Sequence, residues 1–124
     1  MRWGQRLAVA VVMLGAGPLA SGAEQGRATP EAIARQVQAC LRDHYANRDR
    51  LAVVDRVFGI EERLGAYRAA RTRAELVARI NADLRVATGD GGVRIDEGKA
   101  ISDVDVEAYA LGEGLHLWVP AARK

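Results

Sequence analysis

The sequence predicts an α+β fold, a three-helix bundle followed by a short antiparallel β-hairpin, and three observations carry that prediction. Apolar residues recur at helical spacing in three successive segments between Pro30 and Thr88. Beyond Gly89 the period changes from helical to alternating. Gly112-Glu113-Gly114 then separates two alternating runs as a hairpin loop does.

The chain opens on a leader. Arg2 and Arg6 give residues 1–6 a positive charge, residues 7–17 are apolar and uncharged, and Pro18 interrupts the run. Ser21-Gly22-Ala23 places small residues where a signal peptidase reads, so residues 1–23 are a secretory signal peptide with cleavage expected before Glu24. The apolar run is roughly half the ~20 residues that span a bilayer, which favours a signal over an anchor. Residues 24–28 are small and polar, a disordered spacer.

Thr29-Pro30-Glu31 starts the first helix with a capping hydroxyl, a proline at the first position and an acid in the first turn. Ile33, Val37, Cys40, Leu41 and Tyr45 continue it over residues 30–45. Asn47 and Asp49 are candidate caps for the second helix. In it Leu51, Val54 and Phe58 mark one stripe and Val53, Val57, Ile60 and Leu64 an adjoining one, a width that predicts substantial burial. Gly59 inside this helix predicts a bend or a closely packed neighbour, and Gly65 ends it. Thr72 and Glu75 stand in the capping-box relation, Leu76, Ile80, Leu84 and Ala87 share a face that Val77 widens, and Gly89 terminates; the third helix is Arg73–Thr88. A helical domain thus covers residues 29–92.

Residues 93–124 are read as short strands. Val93 to Ile95 forms one, Asp103, Asp105 and Glu107 alternate with Val104, Val106 and Ala108 in a second, and Leu115, Leu117 and Val119 alternate with His116 and Trp118 in a third.

Removing 23 of the 124 residues leaves 101, enough for one domain and too few for two cores. Arg2 and Arg6 also carry the formal excess of +2, so the mature chain is formally neutral. That removes the electrostatic argument for a nucleic-acid partner or an anionic membrane surface. Cys40 is the only cysteine, so the fold has no intramolecular disulfide, and its place on an apolar stripe reads as a small buried hydrophobe rather than a reactive thiol.

A family resemblance runs through the middle of the chain. It rests on Leu64-Gly65-Ala66-Tyr67, Glu75-Leu76, Asn81-Ala82-Asp83-Leu84-Arg85, Thr88-Gly89-Asp90 and Val93-Arg94-Ile95, with Leu41 to Tyr45 suiting the family's first helix. Over residues 33–95 the chain resembles the N-terminal helical domain of the C-terminal processing (tail-specific) serine peptidases and the related interphotoreceptor retinoid-binding protein repeats. The resemblance implies a helical domain that precedes a catalytic α/β domain and shapes substrate access. Many relatives carry histidine where Gly92 stands.

The chemistry of hydrolysis is sparse. Ser102 is the only serine after the leader, and Lys99 precedes it in the reverse of the usual order, so a strand-entry turn explains both. His44 and His116 lack partners at zinc-ligand spacing. Asp103, Asp105 and Glu107 read as a solvated strand face rather than a calcium loop. We therefore expect no catalytic residues, no metal and no cofactor. The expected function is an exported, non-catalytic module that binds a protein, a peptide or an apolar ligand. Its expected contact surface joins Asp90, Gly91 and Gly92 to Leu117 and Trp118, where the helices run out. Alternatives are a fragment of an exported serine peptidase whose catalytic domain is separate, and a structural envelope protein.

Overall fold

The structure, a computed structural model, describes residues 28–98 and 105–121. The leader, residues 24–27 of the spacer, Lys99, Ser102, Asp103 and Val104 lie outside the described residues. Helix α1 spans Pro30–His44, a 3₁₀ turn spans Arg48–Arg50, and α2 and α3 span Leu51–Arg63 and Arg73–Thr88. Strands β1, β2 and β3 follow at Arg94–Glu97, Val106–Gly112 and Leu115–Pro120. The expected class is therefore observed, with one addition. The Val93-Arg94-Ile95 segment joins the hairpin, making a three-stranded antiparallel sheet of order β1-β3-β2.

Local chemistry explains the helix ends. Thr29 Oγ1 accepts from Ala32 N (3.0 Å) at the start of α1, and Thr72 Oγ1 accepts from Glu75 N (3.0 Å) at the start of α3. Glu75 reaches back one residue further than the capping box predicts, accepting from Arg71 N (2.9 Å) rather than from Thr72. Neither Asn47 nor Asp49 caps α2 with its side chain. The 3₁₀ turn does that work, through Arg50 N to Asn47 O and Leu51 N to Arg48 O. Gly89 closes α3 at φ 67°, and Arg50 Nε donates to Ala87 O (3.0 Å) in its last turn.

Helices α1 and α3 cover one face of the sheet, and α2 packs against both of them. Ile33, Ala34, Val37 and Leu41 of α1, Val54 and Phe58 of α2 and Leu76, Ile80, Leu84 and Ala87 of α3 meet Ile95, Leu111, Leu115, Leu117 and Val119 in one core. Tyr67, on the α2–α3 connection, is fully buried with its ring 5.7 Å from that of Phe58. Cys40 packs half-buried against this core, and burial, then the Asp43 charge, pushes its thiol up from the ordinary value.

Three expectations are corrected. The second stripe of α2 is not buried: Val53 and Val57 are partly covered, but Ile60 and Leu64 are exposed. α2 runs unbroken through Gly59, and no neighbouring element packs close there, since a Cβ would meet only Arg63 Nη1, at 3.6 Å. The phase of β2 is also the opposite of the predicted one. Glu107 lies opposite Val119 and Tyr109 opposite Leu117, which puts both on the helix side, while Val106 and Ala108 pair with Pro120 and Trp118 on the outer face. Tyr109, stacked on His44 at 3.8 Å, and buried Leu111 set this phase. Because β2 is an edge strand, Glu107 still reaches solvent and accepts from Tyr109 OH.

Candidate functional site

Much of the motif that carried the family resemblance turns out to be scaffold. Tyr67 OH donates to Asp83 Oδ2 at 2.7 Å. Burial, then the Asp83 bond, raises the Tyr67 phenol well above the tyrosine range, while burial lifts the Asp83 carboxyl and the Tyr67 bond holds it down in part. Asn81 accepts from Ile95 N (2.7 Å) and donates to Ile95 O (2.9 Å), pairing with β1 as a neighbouring strand would. Gly65 adopts φ 76° after α2. These residues bind α2, α3 and β1 to one another.

The expected contact surface is brought together only in part. After α3, Thr88 Oγ1 donates to Leu84 O (2.7 Å) and accepts from Asp90 N (3.1 Å), and Asp90 Oδ1 accepts from Gly92 N (2.9 Å). The Asp90 carboxylate is thus turned onto its own loop. Gly92 abuts β3, with Pro120 Cγ 3.3 Å from where a Cβ would stand, so the larger histidine of many relatives has little room here. Gly91 is exposed. Leu117 does not belong to this surface: it is fully buried, because strand alternation turns it onto the helices when Trp118 faces out. Trp118 Nε1 donates to Asp96 Oδ1 (2.8 Å), and the Arg94 guanidinium lies 5.2 Å from its ring while ion-pairing Asp96. Aromatic, cation and carboxylate hold each other in place on the outer face.

At the opposite end of α3 the structure forms a cleft of about 210 Å³. Its apolar surface includes Ile33 and Leu76, and its polar rim is Arg71, Thr72, Arg73 and Glu113. Pro30 at the start of α1 and Thr72 and Arg73 at the start of α3 lie along it. Glu113 ties the edges together: Oε2 accepts from Ala28 N (3.2 Å), its carbonyl accepts from Arg73 Nη1 (2.7 Å), and Oε1 lies 3.4 Å from Arg73 Nη2. Ala28, read as spacer, is therefore docked to the fold. Arg73 Nε also lies 3.5 Å from Glu97. Sequence reading missed this cleft because its parts meet across 40 and 85 residues; the only local signal was an acid at the tip of a glycine-flanked turn.

Among the described residues no three histidine, cysteine or acidic side chains converge as a metal site. No helix among them is long and apolar enough to cross a membrane.

A family model described as the N-terminal domain of Peptidase_S41 in eukaryotic IRBP matches residues 25–107, about two-thirds of the chain. The chain belongs to that family. No curated protein and no solved structure matches it. The peptidase N-terminal domain match takes in all three helices, β1 and the first residues of β2, and it includes every quoted motif residue. It concerns the domain that accompanies the catalytic one, not the catalytic one itself.

Proposed function

We propose that this chain is an exported, non-catalytic module of the peptidase N-terminal domain family that binds a short peptide through the cleft between α1, α3 and the hairpin tip. The observation that carries the reading is the cleft's composition, an apolar surface at Ile33 and Leu76 beneath a polar rim at Arg71, Thr72, Arg73 and Glu113. An apolar side chain would seat on the surface, and an acidic group of the peptide would lie at the rim. The charged start, apolar run and small-residue exit of residues 1–23 support export.

Titrating the isotope-labelled protein with unstructured peptides that pair one apolar with one acidic residue tests this. Shifts should centre on Ala28, Arg71 to Arg73 and Glu113, and Arg71→Glu should weaken binding about tenfold or more, as expected for one charge-assisted contact. Shifts confined to Asp90, Gly91, Gly92 and Trp118 would move the site to the other end of α3. Mass spectrometry of the extracytoplasmic fraction should find a mature N-terminus at or next to Glu24, and an intact Met1 in the cytoplasm would end the export reading.

The family match also favours a second reading, in which the chain is the leading part of an exported serine peptidase. Reading the coding sequence past Lys124 for a serine and lysine in family context decides it. Peptide cleavage by the purified chain that disappears in Ser102→Ala would overturn the non-catalytic reading.

A further inference from the structure

Helix α2 uses only half of its wide apolar face. Val54 and Phe58 enter the core and Leu51 packs on it, but the adjoining stripe climbs out of the bundle: Val53 and Val57 are partly covered, Ile60 is 41% exposed and Leu64 74%. These four residues are spaced by four, three and four, the alternation of a two-heptad coiled-coil seam.

We propose that this stripe is the contact face of a parallel, two-fold symmetric dimer of the chain. The charges beside the seam choose both the occupant and its direction. Arg56 and Arg63 border it on one side, immediately before Val57 and Leu64, and Glu61 borders it on the other, immediately after Ile60. In a parallel, in-register pair, a residue on the first side faces the residue five positions further on in the other helix, so Arg56 meets Glu61 of the second copy, twice by symmetry. An antiparallel pair would instead set Arg56 against Arg63. Neither Arg56 nor Glu61 has an ion-pair partner among the described residues, whereas the acids on the far flank are committed to α1. Asp55 lies 3.8 Å from Arg42 and accepts from Gln38 at 3.0 Å, and Glu62 pairs with Arg35. Thus α1 packs away from the seam, and the seam's Ile60 and Leu64 end stands free of the bundle. Two heptads make a small contact, so the dimer is reversible and concentration-dependent. This inference does not depend on the peptide cleft, and its test contains no peptide.

Analytical ultracentrifugation of the purified chain from about 1 to 300 µM spans the affinities a small interface gives. A monomer–dimer equilibrium is expected, and Leu64→Glu should shift it at least tenfold toward monomer without changing the circular dichroism, because Leu64 is mostly in solvent already. Arg56→Glu should weaken the dimer, and adding Glu61→Arg in the same chain should restore it. In a Cys40→Ser background, Leu64→Cys should cross-link to itself under mild oxidation, as only the parallel register allows. A monomer throughout the range, a dimer indifferent to Leu64→Glu, a charge swap that fails to restore association, or an absent cross-link would each overturn the proposal.

Discussion

Tyr67 shows what one side chain does in this fold. Its ring fills the core beside Phe58, and its hydroxyl ends on the partly buried Asp83. Tyr67→Phe keeps the ring and removes the donor, at an expected cost of about 1 to 3 kcal/mol near neutral pH. The cost should shrink on acidification. Without the phenol the Asp83 carboxyl rises further, so the variant gains more from protonation than the parent does. On the alkaline side the cost should shrink as well. Folding holds the Tyr67 proton well above the tyrosine range, so this stability is complete below about pH 10 and is lost as pH rises beyond it. Denaturant midpoints from pH 4 to 11 check both arms, and the variant should lose less than the parent above pH 10. In the sequence Tyr67, Asn81 and Asp83 stood out as a family pattern, but pattern alone does not say that one closes a core and another blocks a strand edge. Those are contacts across 14 and 16 residues, visible only once the chain is folded.

At the scale of elements, the helices were legible because caps, stripes and terminating glycines agree. The bounds of α3 are those predicted, Arg73–Thr88. The second helix was read less well. A wide apolar face is ambiguous between deep burial and a stripe left for another partner, and periodicity does not separate them. Gly59 was read as a bend or a close approach, but α2 runs unbroken through it and no neighbour packs close. Gly59→Ala should therefore stabilise the protein by up to about 1 kcal/mol, since α2 is continuous there and the new methyl meets only the end of a flexible arginine. A thermal melt that falls instead would mean that α2 needs the glycine. The phase of β2 was misread for a related reason. On an edge strand acids can take the helix side and still reach water, so charge alternation does not identify the inner face, whereas Tyr109 and Leu111 do.

Across the whole molecule, one core joins both layers, and Leu84 lies within it with no exposed surface. Leu84→Ala should cost about 2 to 5 kcal/mol in chemical denaturation, and a neutral result would mean that the helix–sheet interface is not where stability resides. Of the candidate sites, the Asp90 loop and Trp118 could be read locally, while the cleft could not, because it is assembled from three segments far apart in the sequence. The sheet is organised in the same non-local way. Its central strand is β3, the last in sequence, and β1 and β2 make no ladder with each other. A polypeptide emerging N-terminus first can wind α1 to α3 early, but its sheet has no middle until residues 115–120 are free. At ~5 to 20 residues per second, synthesis alone leaves the chain for several seconds with its helices' apolar faces uncovered. The strand that locks the fold is the last to arrive, so complete folding is postponed by the order of the elements themselves.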